Sequence, residues 1–558
     1  MRGTPSDAPA SRPGDQRPGP AASAPAADSP PAAAPAADGA GSAVAPPAGP
    51  RRRALSWLVV IVPMVAELAV GGYRISTPSL WRDEAATISG SQRPVGDLLA
   101  MIRNQDAVHG FYYLLMHPVI AAGGISATTL RLPSLIAMCL TAGLTAALAR
   151  RLAWASGIPA AQVVGLLAGL ALAAVPLTTR YAQEARPYAL TSLFAVLATY
   201  LLVRAAPRPG WSPWILYGLA LLVTGLFSLF ALLLVLAHGV SLWWARGRSD
   251  GAVAAPALRR WLVACLVTAV LLAPVAYLSA GQTSQINWVT TPTASTIASL
   301  LRAFAGATAL VPVVAVLALL GCSAGLGPRR ARGLSMAAVA LPWLVLPPVL
   351  LIAVSFAKPV YVQRYVMFCL PALSMLTAAG LVWLTVLARR ALAGRGLDRR
   401  AADTLAIVPA AVLVLATIAL LVGAQRVVRL PGSKPDNLRA VAAVVGRNER
   451  PGDAIVYLPQ DAELVGVAYP APFRHLRDIG LGTSPDASGT LRGLPASPAV
   501  VAARLRTVSR LWTVQWAHEL GQATAVPASL ARLLRPLRLI RTWHVQSVLL
   551  RLYAVRTS

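Results

Sequence analysis

Charge is scarce in this 558-residue chain: 13% of residues are charged, against roughly 25% in a soluble protein. With 56% hydrophobic residues and a mean hydropathy of +0.61, the composition excludes an ordinary soluble globule and points to lipid as the main solvent. Lysine is nearly absent, standing only at Lys358 and Lys434. Cysteine is confined to Cys139, Cys265, Cys322 and Cys369, each in or beside an apolar stretch. That placement gives no disulfide framework and no metal-type spacing. The net charge of +29 comes from arginines between apolar segments, without basic runs interleaved with aromatics, which argues against nucleic acid as a partner.

Residues 1–50 are Ala, Pro, Gly and Ser with scattered Asp and Arg. Such a segment buries too little apolar surface to offset the entropy of ordering, so a disordered cytoplasmic tail is expected. The first apolar run begins only after Arg51, Arg52 and Arg53, which reads as an uncleaved signal anchor and not as a cleaved signal peptide. A membrane-spanning helix needs about 20 mostly apolar residues. Eleven candidates follow, near 54–72, 128–149, 161–178, 188–203, 213–227, 229–245, 261–279, 299–320, 335–355, 365–388 and 404–424. The pair within 213–245 is short and must turn around Thr224 to Ser228.

The arginines set an expected orientation. With the N-terminus cytoplasmic, every inside loop is basic, as at Arg150 and Arg151, Arg259 and Arg260, Arg329 and Arg330, and Arg389 and Arg390. An odd number of crossings leaves residues 425–558 outside. There charge and turn signals return: Asn437 to Val445 has helical periodicity, and Ala454 to Leu458, Leu511 to Val514 and Val548 to Val555 read as strands. The expected architecture is mostly α. A polytopic bundle of about eleven spans (51–424) is followed by a small extracytoplasmic α/β domain (425–558).

Carboxylates are rarer still. Between Arg51 and Leu430 there are nine: Glu67, Asp83, Glu84, Asp97, Asp106, Glu184, Asp250, Asp398 and Asp403. Glu67 lies within the first span, and Asp250, Asp398 and Asp403 belong to inside loops or their borders. The other five sit in two external loops, four of them in the first. The cost of an acid at mid-bilayer explains avoidance of the spans, but not this clustering. Adjacent carboxylates at 83 and 84 should raise each other's pKa unless a cation intervenes, and one could then act as a general base. A solvated acidic loop is the plainer reading, as interfacial anchoring is for Trp81, Phe111, Tyr112 and Tyr113. Three further outer patches carry Glu184, Arg186 and Tyr188; Gln285 and Trp288; and Arg364 and Tyr365. Arginine suits a phosphate through its planar fork, and it also serves as a snorkelling anchor.

Taken in order, Trp81-Arg82-Asp83-Glu84, Asp106-x-x-His109-x-x-Tyr112-Tyr113, Gln183-Glu184-Ala185-Arg186-Pro187-Tyr188 and Arg364-Tyr365 resemble the GT-C superfamily of bacterial membrane glycosyltransferases. The similarity, over residues 54–424, is to the family 39 group of protein O-mannosyltransferases and lipid A aminoarabinose transferases. It implies transfer of a sugar, mannose-type by preference, from a polyprenyl-phosphate donor to a protein, lipid or glycan acceptor at the outer membrane face. It also implies Asp83 as the base with Glu84 beside it, and Asp106, His109, Tyr112, Glu184, Arg186, Tyr188, Gln285, Trp288, Arg364 and Tyr365 as substrate-binding residues. Relatives often carry a histidine at the outer turn where this chain reads Thr224-Gly225-Leu226-Phe227-Ser228; no cofactor and no divalent metal is assigned. A transporter or flippase of lipid-linked sugars is the alternative, but it should place ionisable groups at mid-membrane, where only Glu67 stands. An assembly protein with an outer binding domain is a third reading.

Overall fold

The computed structural model describes residues 50–246, 253, 256–282, 288–324, 333–517, 526 and 528–555. Its membrane part begins with α1 (Pro50–Gly72), whose C-terminal end leads into the loop between the first two apolar segments. That loop, left without assigned elements in the sequence reading, folds into α2 (Arg82–Ser91), α3 (Val95–Asn104) and α4 (Gly110–Gly123). Then come α5 (Ala127–Ala155), α6 (Ala161–Ala174), α7 (Pro176–Ala182), α8 (Tyr188–Ala205) and α9 (Ser212–Phe227). The bundle continues with α10 (Leu234–Arg246), α11 (Ala257–Gly281), α12 (Ala294–Ala305) and α13 (Val311–Ala324). It closes with α14 (Met336–Ala357), α15 (Leu370–Ala393) and α16 (Arg399–Val427).

Among the described residues, seven helices are long and apolar enough to cross a membrane. Two further candidates are bent pairs, and Ser56–Gly72 and Ser212–Phe227 are shorter apolar helices. Each of the eleven apolar segments read from the sequence falls on one of these, so the chain is a multi-pass membrane protein.

Two segments expected to be straight are broken. α6 and α7 meet at 66° because Pro176 opens α7 at its first turn, where a proline's missing N–H is harmless. The second break, 82° between α12 and the helix from Thr308, follows Gly306, which ends α12 at φ +85°, a left-handed conformation glycine adopts without strain. α13 and α15 approach backbone to backbone. A Cβ on Gly380 would lie 1.8 Å from the Leu317 carbonyl oxygen and one on Gly321 2.0 Å from that of Leu376, the small-residue contact of helices packing in lipid.

After α16 the chain forms α17 (Leu438–Asn448), capped by the Asn437 side chain accepting from the Ala440 N–H. The strands are β1 (Ala454–Leu458), β2 (Arg477–Asp478), β3 (Leu481–Thr483), β4 (Leu494–Pro495), β5 (Arg510–Trp516), β6 (Arg538–Val545) and β7 (Val548–Ala554), with short helices α18 (Leu464–Ala468), α19 (Pro485–Ser488), α20 (Pro498–Leu505) and α21 (Ala528–Leu534) between them. Five strands make one mixed sheet in the order β2-β1-β5-β7-β6, with β1 parallel to β2 and β5 and the remaining pairs antiparallel. Alternation along the strands splits the core. Ile455, Tyr457, Trp512 and Val514 join the apolar core shared with the bundle. Val456, Leu458 and Leu511 face the other way, toward Val501 and Leu505 of α20.

Candidate active site

Three consecutive charged residues open α2, and each finds a different partner. Side chains one residue apart on a helix point about 100° from each other. Arg82 is bidentate to Asp436, with Nε to Oδ2 at 2.8 Å and Nη2 to Oδ1 at 2.7 Å, and it lies 4.1 Å over the Trp516 ring. Burial opposes ionisation of Asp436, but the Arg82 pair outweighs it and holds the carboxyl below its usual range. Asp83 is half-buried and stands 3.6 Å from Arg364 Nη2. Glu84 is wholly enclosed and accepts two 2.8 Å hydrogen bonds from Arg131 and one of 3.0 Å from the Ala185 N–H. Burial would raise the Glu84 pKa; the Arg131 fork reverses that and lowers it. Each member of the acidic pair thus faces a different arginine, Asp83 facing Arg364 and Glu84 facing Arg131.

Arg131 also holds the approach to α2, donating to the carbonyls of Ile75, Pro78 and Ser79 at 2.7, 3.0 and 3.1 Å. On the other side the Leu80 N–H donates to the Tyr469 hydroxyl at 3.0 Å, and the Ser79 N–H to the Pro431 carbonyl at 2.9 Å. Asp83 therefore sits on a segment fixed by α5 and by the C-terminal region.

A second cluster lies behind it. Asp106, at φ +61°, accepts from His109 Nδ1 at 2.6 Å and from the Tyr113 hydroxyl. Arg186 donates from Nη2 to His109 Nε2 at 2.7 Å and from Nη1 to the Asp83 carbonyl at 3.3 Å. Arginine only donates, so His109 accepts at Nε2 and carries its proton on Nδ1. Burial and the Arg186 cation lower the His109 pKa, which keeps this ring neutral near pH 7. Burial would raise the Asp106 pKa, but His109, Arg186 and Tyr113 together hold it well below the usual range.

Arg364 lies in an aromatic cage. Its guanidinium carbon is 5.9 Å from the Trp81 ring centroid, 5.8 Å from Tyr188, 5.5 Å from Trp288 and 5.7 Å from Tyr365, all within cation–π range. Its Nε and Asp83 Oδ2 are buried atoms without a hydrogen-bond partner. A carboxylate oxygen and a guanidinium N–H that keep hydrogen-bonding capacity side by side can serve a transfer reaction, the first as a base for a hydroxyl proton and the second as a cation for a departing anion.

The whole-chain fold matches solved membrane enzymes. ArnT from Cupriavidus metallidurans bound to undecaprenyl phosphate superposes with a TM-score of 0.55 at 14% identity, covering 92% of this chain and 99% of that one. Its apo form gives 0.54 at 13%, covering 90% and 99%. The chain has the GT-C fold. The archaeal oligosaccharyltransferase AglB from Archaeoglobus fulgidus also matches, with a TM-score of 0.45 at 11% identity, covering 83% of this chain and 70% of that one. No protein-family model matches the sequence, and no curated protein sequence does.

On this GT-C fold the residues singled out in the sequence divide by environment. Asp83, Asp106, His109, Arg186, Tyr188, Arg364, Tyr365 and the half-exposed Trp288 gather in one region around Asp83. The Glu84 carboxylate lies apart from it, enclosed against Arg131. Glu184 is enclosed in the same way: its Oε2 lies 2.7 Å from Lys434 Nζ, and both side chains are 1% exposed. Tyr112 is fully enclosed in the core, one residue from the Tyr113 that bonds Asp106. Gln285 lies outside the described residues. Arg131, Lys434 and Asp436 were missed in the sequence. Arg131 carried a signal, being an arginine within an apolar span, and Lys434 carried another as one of two lysines. Among the described residues no group of three side chains converges in a metal-binding arrangement.

Proposed function

We propose that this chain is a glycosyltransferase that moves a sugar, mannose-type by preference, from a polyprenyl-phosphate donor to an acceptor hydroxyl at the outer face of the membrane. The observation that carries the reading is the Asp83–Arg364 pair, 3.6 Å apart, at the mouth of a bundle whose fold is shared with an ArnT bound to undecaprenyl phosphate. Asp83 takes the proton of the acceptor O–H as that oxygen bonds to the anomeric carbon. The bond from that carbon to the phosphate oxygen breaks, and the lipid phosphate leaves with one more negative charge. Arg364 receives it, and Arg186 adds its charge from behind Asp83. Glu84 and Arg131 position the base, as Arg82 and Asp436 do from the other side. The acceptor is a protein, a lipid or a glycan.

Arg364→Lys tests the phosphate site. Lysine keeps the charge but loses the planar fork and its stacking on four rings. Binding of labelled polyprenyl phosphate to the purified protein should weaken roughly 10- to 100-fold, the ~1.5–3 kcal/mol of a charged hydrogen bond. A lysine variant that binds as tightly as wild type would make Arg364 a headgroup anchor only.

The reading also requires residues 1–50 inside and the sheet domain outside. Ala503→Cys in α20 should react with a membrane-impermeant thiol reagent on intact cells, and Ser42→Cys should not. Labelling of both or neither would overturn the odd number of crossings.

A further inference from the structure

Among the described residues, a large cavity lies away from Asp83. It has a volume of about 1080 Å³ and runs between α1, α6, α13, α15 and α16. It lies where both broken helices bend: Ala174 and Val175 at the first break and Phe304 and Ala305 at the second line its wall. Two bent helices cannot fill the space that straight ones would occupy, which is why an apolar groove is left. Its deep end is aliphatic, with Leu167, Leu381 and Leu413. Its shallow end, on the side of the loop between the first two apolar segments, carries Arg74, Arg426 and Arg429, and no lining residue is acidic.

The three arginines differ. Arg429 is buried and its guanidinium is occupied by the backbone carbonyls of Val70, Tyr73 and Gln425. Arg74 and Arg426 are exposed, and among the described residues neither has an ion-pair partner. From Leu413 to Arg426 the helix rises about 20 Å, enough to cover the ~15 Å hydrocarbon depth of one leaflet. Arg74 lies 5.5 Å over the Tyr73 ring, and an apolar trough of leaflet depth with two cations lacking an acidic partner at its polar end is complementary to one anionic amphiphile. Asp83, Arg186 and Arg364 do not line it, so the groove is separate from the phosphate site proposed around Arg364. We propose that this groove is a binding site for an anionic glycerophospholipid of the surrounding bilayer, its chains against α15 and α16 and its phosphate between Arg74 and Arg426. The lipid wedges α16 against α1 and thereby supports the Ser79–Asp83 segment that follows α1.

The test is lipid retention by the full-length protein in detergent, read by native mass spectrometry after addition of phosphatidylglycerol or phosphatidylcholine. Wild type should keep one phosphatidylglycerol in preference to phosphatidylcholine. The double variant Arg74→Gln/Arg426→Gln should bind it roughly 30-fold more weakly, a factor of about five per arginine. The double lysine variant should keep the preference, since charge and not fork geometry is required. Equal retention of the two lipids, or undiminished retention by the glutamine variant, would overturn the proposal. Displacement of phosphatidylglycerol by stoichiometric polyprenyl phosphate would also overturn it, by making the groove part of the donor's path.

Discussion

Asp83→Asn should lower turnover by about 10²–10⁴-fold, the usual loss on removing a general base, while leaving the fold intact. The structure gives the reason for both halves. Asp83 Oδ2 has no hydrogen-bond partner and its nearest cation is 3.6 Å away, so the side chain contributes little to holding α2. What holds α2 is Glu84 with Arg131, Arg82 with Asp436, and the backbone contacts of Ser79 and Leu80. An amide at 83 keeps the shape of the site but no longer accepts a proton from an acceptor hydroxyl. Thermal unfolding should move little, and binding of polyprenyl phosphate should persist because Arg364 is untouched. Near-normal turnover by a folded Asp83→Asn protein would remove the residue from the catalytic role.

Glu84→Gln should behave in the opposite way, losing stability first. The Glu84–Arg131 pair is enclosed on both sides, each side chain 0% exposed, and removing one charge leaves the other buried without compensation, at a cost of roughly 3–5 kcal/mol. Arg131→Met alone should be about as damaging. The double variant should lose less than the sum of the two, because no charge is left buried alone, although the carbonyls of Ile75, Pro78 and Ser79 still lack their donor. The measurement is a thermal-unfolding cycle over the four proteins. Additive losses would show that the two side chains are not energetically coupled. A Glu84→Gln protein of wild-type stability but without activity would return Glu84 to the chemistry.

The contrast between these neighbours marks the limit of what the sequence reveals. Their shared loop, the scarcity of acids elsewhere and the helix–strand order after residue 425 are local properties of composition and period, and they were legible. So were the eleven apolar segments, because lipid imposes length and hydropathy on each of them separately. Which acid is free and which is locked depends on contacts between residues far apart in the chain. Glu84 and Arg131 are 47 positions apart, and Glu184 and Lys434 are 250 apart. The breaks at Pro176 and Gly306 had local signals, but apolar periodicity alone runs through them. The helices α2, α3 and α4 were not assigned from the sequence, although Asp83 and Glu84 in a first turn suit the positive end of a helix.

The central claim is that the Asp83 site transfers a sugar from a lipid-phosphate donor. It is tested most directly by incubating the purified full-length protein with polyprenyl-phosphate sugars labelled in the sugar, using membrane extract as a source of acceptors. Label should leave at least one such donor, mannose-type by preference, and appear in a covalent product with wild type, but not with Asp83→Asn. Label that stays on the lipid with every donor, or leaves equally fast with Asp83→Asn, would contradict it.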